Sequence, residues 1–377
     1  MSRTVCLAAN TLYYPNGGGH FWVYLNWALG LRSQGCRVIW LEGLNSKIDF
    51  EEQASYIRAL KKKLAPFGLD TNIALWAWDN SPVATHLHQC MDVFTAATES
   101  DLLLNQHYTM PGEIIHRFKK SALLDIDPGL FQKWVSDGVM YMAPHDLYFT
   151  IGETVGQPGS LFPDLGLKWH YTPPCVALEE WPVKTASAYA PFTTITHWDS
   201  GYWENDNEEI YSNDKRTGFL PYFGLPELIK APLELAVLLS EDEKDEKFLL
   251  DKLGWTVKDS HTVTSTPEDY RSYIQGSSGE FTCVKPSCIR LQNAWISDRS
   301  ICYLASGKPV IMQHTGKSRF LPDASGIFRF KDRNECIKAF ELINSDYQNQ
   351  CMIARSLAEE FFDAKKVTGN LLEIALN

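Results

Sequence analysis

The chain has 377 residues, of which 35 are Lys or Arg and 46 Asp or Glu, giving a net charge of −11 with histidines uncharged. With 45% apolar and 21% charged residues it can bury a core, which excludes disorder as the main state; the length suits two domains. Residues 1–190 carry 14 basic against 18 acidic side chains and the rest 21 against 28, so neither half is the basic stripe of a general nucleic-acid binder.

The opening MSRTVCLAAN is too short in apolar residues for a secretory leader, and no apolar run approaches the roughly 18 residues of a membrane span, so a cytoplasmic protein is expected. Nine scattered cysteines without a CxxC pair suit reduced core residues. The spacing of Cys283, Cys288 and Cys302 matches no zinc pattern, and no metal site is expected.

Residues 4–9 form an apolar run, a Gly-rich turn follows, the apolar positions of 21–34 suit a buried helix, and 37–41 is a second apolar run. Strand, helix and strand within about forty residues is a βαβ unit, which implies parallel strands. Further strands are expected at 101–104, 121–126 and 146–151. The segment 171–192 carries four prolines and reads as a linker, because proline removes backbone donors.

The alternation then restarts. An apolar run at 192–196 is followed by a predicted helix near 225–239 running into the charged stretch 241–247, read as a solvated helix end, and by strands at 254–257 and 280–285. A helix near 298–306, strands at 309–313 and 326–330, and two C-terminal helices complete the chain. The expected fold is α/β: two Rossmann-like domains facing across a cleft, with ligands outside the carboxyl ends of the strands. The expected domains are 1–180 and 190–350, with 351–377 returning as a helix to the first.

The first turn reads Asn16-Gly17-Gly18-Gly19-His20. Glycines allow close backbone approach, a helix N-terminus offers free N–H groups, and a histidine titrates near neutrality, so His20 is a candidate general base; a flexible turn with a capping histidine is the plain alternative. Glu42, 23 residues after Gly19, would suit a dinucleotide site, but the third glycine of GxGxxG is missing. Asp125-Ile126-Asp127-Pro128-Gly129 ends a strand. Its paired carboxylates could hold Mg²⁺ or Mn²⁺ as in DxD transferases, orient a histidine base, or form an Asx turn. His107 and His145 lie near other strand ends.

The densest pattern is WISDRSICYLASGKPVIMQHTG at 295–316. Ser297 or Asp298 can cap a helix that Gly307 ends, and Arg299 in its first turn adds a bidentate donor to an anion site. That is what a departing diphosphate requires, with Lys285 and Arg290 as further partners; an ordinary capped helix with a surface Arg299 is the alternative.

The segment CYLASGKPVI at 302–311 resembles the nucleotide-sugar-binding helix and strand of GT-B glycosyltransferases, and SDRSICYLASGKPVIMQHTG resembles a bacterial subgroup more closely. LLDIDPG, YFTIGE, TTITHW and the GEF segment near 279 extend the likeness over most of the chain. The resemblance implies hexosyl transfer from a nucleotide diphosphate-sugar, UDP-sugar first, to a hydroxyl of a small molecule or glycan, with no cofactor required. It also implies inversion, with His20 as base and Asp125 or Asp127 assisting, and acceptor contacts at Gly18, Gly19 and His107. Donor contacts would fall on Lys285, Ser297, Asp298, Arg299, Ser300, Gln313, His314, Thr315 and Gly316. Cys302 stands where many of these enzymes have a ribose-binding glutamate, which leaves Asp298 one turn earlier to take that role. Alternatives are a two-domain nucleotide-sugar epimerase, a metal-dependent transferase using Asp125 and Asp127, or a silent sugar-nucleotide binder. The acidic total weighs against a nucleic-acid acceptor, although a local basic patch is compatible with it.

Overall fold

Apolar runs too short for helices and buried on both faces become parallel strands in this chain, and the longer stretches between them return as helices. The computed structural model describes residues 3–83, 89–198, 203–206, 209–239 and 243–377. In chain order the first elements are β1 (Thr4–Ala8), α1 (Gly18–Ser33), β2 (Arg37–Leu44), α2 (Phe50–Leu64), β3 (Ile73–Ala77), β4 (Met91–Asp92), α3 (Val93–Glu99) and β5 (Leu102–Asn105). They continue with α4 (Gly112–Ile115), β6 (Ser121–Asp125), α5 (Leu130–Ser136), β7 (Leu147–Thr150) and β8 (Trp169–Tyr171). Their sheet runs β4-β3-β2-β1-β5-β6-β7-β8 with every pairing parallel.

A second set follows: β9 (Phe192–His197), β10 (Trp203–Asp206), β11 (Glu209–Ser212), α6 (Lys215–Phe219), β12 (Leu233–Leu238), α7 (Lys244–Lys252), β13 (Thr256–Asp259), α8 (Ser260–Val263) and α9 (Pro267–Gly276). Then come β14 (Gly279–Thr282), α10 (Pro286–Leu291), α11 (Asp298–Ala305), β15 (Val310–Gln313), β16 (Ala324–Ser325), β17 (Ile327–Phe330), α12 (Arg333–Ser345), α13 (Tyr347–Leu357) and α14 (Ala364–Leu376). The sheet order is β13-β12-β9-β14-β15-β17-β16, parallel except for the last pair, and β10 and β11 form a separate hairpin.

The chain divides into one unit of residues 1–156, 162–177 and 363–377 and another of 157–161 and 178–362. The C-terminal segment expected to return as a whole is therefore split: α13 stays with the second unit, and α14 joins the first. There α14 packs on α1, where a side chain at Gly30 would place its Cβ 2.7 Å from the Ala364 carbonyl oxygen. Lying between sheet and helix, α1 is buried nearly all round, with Phe21, Trp22, Trp27 and Leu31 inside, which is why its sequence lacks a polar stripe.

One predicted element is of the wrong kind. The stretch 225–239 is a 3₁₀ turn at Leu225–Glu227 followed by the strand β12, not a helix. Pro226 and Pro232 interrupt helical hydrogen bonding, and LELAVL has the continuous apolarity of an interior parallel strand, paired with β9 and β13. Of the charged stretch beyond it, 241–242 lie outside the described residues, and α7 begins at Lys244.

In both sheets the first strand lies between the second strand and a later one: β1 between β2 and β5, β9 between β12 and β14. At such a switch the connections leave in opposite directions and open a crevice at the carboxyl ends of the strands.

Candidate active site

In the first unit, the turn between β1 and α1 is held by a buried carboxylate. Glu42, at the end of β2, accepts the backbone N–H groups of Thr11 (2.9 Å) and Leu12 (3.3 Å), the Thr11 hydroxyl and the Trp40 indole N–H (2.8 Å). Burial raises its pKa against these bonds. Its acceptor capacity is spent on the protein's own loop, so the ribose-binding role of a dinucleotide site does not fit it.

The turn so held presents His20 on the first turn of α1. Nε2 of His20 lies 2.6 Å from the Asn10 carbonyl oxygen, so in the neutral ring Nε2 carries the proton and Nδ1 keeps a lone pair. Tyr14 and Tyr24 pack on the ring at 4.4 and 5.3 Å between centroids. Burial, aided by the nearby Lys63 charge, lowers the histidine's pKa against the pull of the carbonyl and favours the neutral form. No side chain caps the N-terminus of α1, so the N–H groups of its first turn, including Gly18 and Gly19, remain donors at this edge.

The aspartates expected to assist His20 are engaged elsewhere. Asp125, fully buried at the end of β6, accepts from the Gln132 amide (2.8 Å), the Thr150 hydroxyl (2.8 Å), the Tyr108 hydroxyl (3.2 Å) and the Asp127 N–H (3.0 Å). Burial lifts its pKa to about 6. Asp127 shares the Tyr108 hydroxyl at 3.5 Å. Four donors fill the lone pairs of Asp125, leaving none for a metal and none for His20; the Asn10 carbonyl does the orienting instead. Asp125 ties β6 to β7 and to α5.

His107 is likewise part of the scaffold: buried edge-on against Trp76 at 5.3 Å, it has its pKa lowered by burial to about 4. His145 resembles it, with Nε2 3.0 Å from the Asn105 amide nitrogen and its pKa lowered by burial to about 4. Beside His107, however, is a residue the sequence reading passed over. Gln106 follows β5 at the switch, is 3% exposed, and has neither amide oxygen nor nitrogen hydrogen-bonded among the described residues. Buried amides are ordinarily paired, so an unpaired one beside the crevice is a candidate for a ligand hydroxyl.

In the second unit, Arg299 lies in the first turn of α11, after the N-cap Ser297, whose hydroxyl accepts the Arg299 N–H at 3.2 Å. Its guanidinium turns into the protein rather than toward a ligand. Nε donates to Glu280 (2.6 Å), one terminal nitrogen to the Ile195 carbonyl (2.9 Å) and the other to the Thr282 hydroxyl (2.9 Å). The physical reason is Glu280: a fully buried carboxylate on β14 requires a buried cation, and Arg299 supplies it. Arg290 is also committed, in a bidentate pair with Glu209 at 2.9 and 3.0 Å.

The cation that meets the switch is Lys215, at the start of α6. Its amine donates to the Cys283 carbonyl just past β14 (2.8 Å). Burial, then the charges of Arg299 and Lys285, press its pKa down to about 7. Three cations thus converge where β9 and β14 end, and burial with the two neighbouring charges disfavours the charged form of Lys215.

The residues at the end of β15 and just beyond it hold neighbouring segments. Gln313 accepts the Val284 N–H at 2.7 Å, pinning the turn after β14. The Thr315 hydroxyl donates to the Trp295 carbonyl at 2.6 Å, and Gly316, at φ +126°, passes where a Cβ would lie 2.7 Å from the Gln292 carbonyl. His314 lines a separate cavity of about 270 Å³ with Asp323 and Arg329. Ser300 is buried on α11, its hydroxyl unpaired among the described residues. Asp298 opens α11, and Lys285 precedes α10 as its N-cap.

No family model matches the chain, and no curated protein does. Solved structures do. An alpha-glucosyltransferase in complex with UDP-glucose and DNA containing an abasic site is 11% identical over 100% of both chains, with a TM-score of 0.57. HepE of Anabaena, in complex with UDP and glucose, is 10% identical over 99% of both, at 0.56. A glycosyltransferase from Rickettsia africae is 11% identical over 99% of this chain and 98% of its own, also at 0.56. The chain therefore has the fold of these glycosyltransferases, two Rossmann-like α/β units of the GT-B kind, as its sequence led one to expect.

Proposed function

We propose that the protein is a glycosyltransferase that moves a hexosyl group from a UDP-sugar to an acceptor hydroxyl, the second unit binding the donor and the first the acceptor. The observation that carries this reading is the convergence of Lys215, Lys285 and the Glu280-paired Arg299 where β9 and β14 end. It is supported by a fold shared with proteins solved with UDP and UDP-glucose.

Transfer breaks the bond between the anomeric carbon and the diphosphate oxygen, and the electron pair leaves with that oxygen. A site already crowded with positive charge favours this departure, because charge developing on the leaving group meets fixed cations that need no reorganisation. Lys215 is placed to take up a proton as the nucleotide binds and to hold its charge against the diphosphate. These side chains stand in for a divalent metal, and none is required.

On the acceptor side, His20 acts through Nδ1. The acceptor oxygen bonds to the anomeric carbon while its proton passes to Nδ1, and the Asn10 carbonyl keeps Nε2–H in place. A carbonyl fixes the tautomer as an aspartate would but brings no full negative charge, so the imidazolium is stabilised less than in a triad. Direct attack by this acceptor oxygen inverts the anomeric centre. Gln106 and the N–H groups of Gly18 and Gly19 position the acceptor.

The test is a UDP-release assay with UDP-glucose and related donors against a panel of hydroxyl acceptors, with the linkage read by NMR. Chelator-resistant, acceptor-dependent release giving an inverted linkage is expected. Activity lost to chelator and restored by Mn²⁺, or epimerised donor without acceptor, overturns the reading.

A further inference from the structure

The second unit holds another cavity, of about 330 Å³, where the chain enters β15. Because the strands are parallel, this is the opposite edge of the sheet from the three converging cations, and sugar transfer as described does not use it. Lys308 lines the cavity. It is 1% exposed, and its amine has no hydrogen-bond partner among the described residues.

A buried ammonium is strongly unfavourable unless something pairs with it. Burial accordingly presses the Lys308 amine down to about 8, with the neighbouring Lys184 charge lowering it further and Cys351 opposing. Lys184 and Arg355 also line the space, and among the described residues lining it there is no carboxylate. Arg355 is already engaged, by Glu359 at 2.7 Å and by the carbonyls of Trp181 and Ala305. That leaves Lys308 as the buried cation without a counter-charge, in a chain whose total is −11. Val183 and Met352 give the walls apolar surface.

We propose that this cavity binds a small organic carboxylate, its anionic head on the Lys308 amine and its apolar body against Val183 and Met352. The volume lies at the lower end for small-molecule sites. One buried amine matches one carboxylate, whereas inorganic phosphate, with oxygens on every side, needs donors all round, and Val183 and Met352 offer none. The inference is independent of sugar transfer.

The experiment uses the full-length protein with benzoate as probe, benzyl alcohol as its uncharged counterpart and inorganic phosphate as the inorganic anion, read by thermal unfolding and saturation-transfer NMR. Benzoate is expected to raise the unfolding midpoint saturably, and benzyl alcohol and phosphate to leave it unchanged. Lys308→Met is expected to weaken benzoate binding about tenfold or more, the worth of a charge-assisted hydrogen bond, while keeping the wild-type circular dichroism spectrum. A measurement free of any folding defect is site-resolved alkylation of the partly exposed Cys351 in wild-type protein, which benzoate should slow. Equal effects of benzoate and benzyl alcohol, stabilisation by phosphate alone, undiminished binding by Lys308→Met, or unchanged alkylation of Cys351 would each overturn the proposal.

Discussion

The two sheets have the same strand logic and opposite chemistry at the switch. At the switch of the first unit, the Glu42 carboxylate holds its own loop, burial favours the neutral form of His20, and Gln106 offers an amide unpaired among the described residues. In the second, the Lys215 amine feels the charges of Arg299 and Lys285, and Arg299 is paired with the buried carboxylate of Glu280. Topology puts a crevice at the same place in both sheets, and the side chains differ there: under the proposed function, the first suits a neutral hydroxyl compound and the second an anion.

The largest expected effect belongs to the first unit. His20→Ala should lower turnover by about 10²- to 10⁴-fold with little change in UDP affinity, the range for losing a general base. Steady-state kinetics with a saturating donor check this; near-normal turnover would transfer the base role, and the inverting stereochemistry with it, to another group.

In the second unit, Arg299→Met should cost about 3–5 kcal/mol of stability in denaturant unfolding, because Glu280 is left as a buried, unpaired charge. Adding Glu280→Gln should return most of that loss. An Arg299 that acted mainly on ligand would show the reverse pattern, a normal unfolding midpoint with lost UDP binding. Back in the first unit, Gly30→Ala should destabilise by about 1–3 kcal/mol, since its Cβ would sit 2.7 Å from the α14 backbone.

The smallest effect is a slope. The pKa of Lys215 falls from 10.5 in the unfolded chain to about 7 in the fold. Below about 7 the amine is protonated in both states; between there and 10.5 only the unfolded chain carries the proton, so this group makes stability rise with pH across that window. Unfolding of wild type and Lys215→Met from pH 7 to 10 should show the variant with the flatter profile.

Much of the scaffold was legible because local rules and tertiary burial agree. The apolar run of β1, the glycine turn and the all-round apolar α1 place the first crevice, and Ser297 with Gly307 brackets α11. Where they compete the sequence misleads: the stretch 225–239 has the length of a helix, but its prolines break it into a 3₁₀ turn and the short apolar strand β12, which β9 and β13 pair on either side. Arg299 was legible as a cation near the right sheet edge, but its partner Glu280 lies on another element 19 residues away, and sequence does not show which charges meet. Lys215 was missed because its contact is with a carbonyl 68 residues on. Asp125 illustrates the converse. A DxD pattern after a strand suggests chemistry, and four donors brought in by folding turn it into a fastening.

The most direct test of the central claim is calorimetric titration of UDP into wild type and Lys215→Met at pH 8, repeated in buffers of different ionisation enthalpy. The account predicts that wild type binds UDP with uptake of a fraction of a proton, and that the variant binds about tenfold or more weakly with that uptake gone. Equal affinity and equal proton uptake in the two proteins would contradict it.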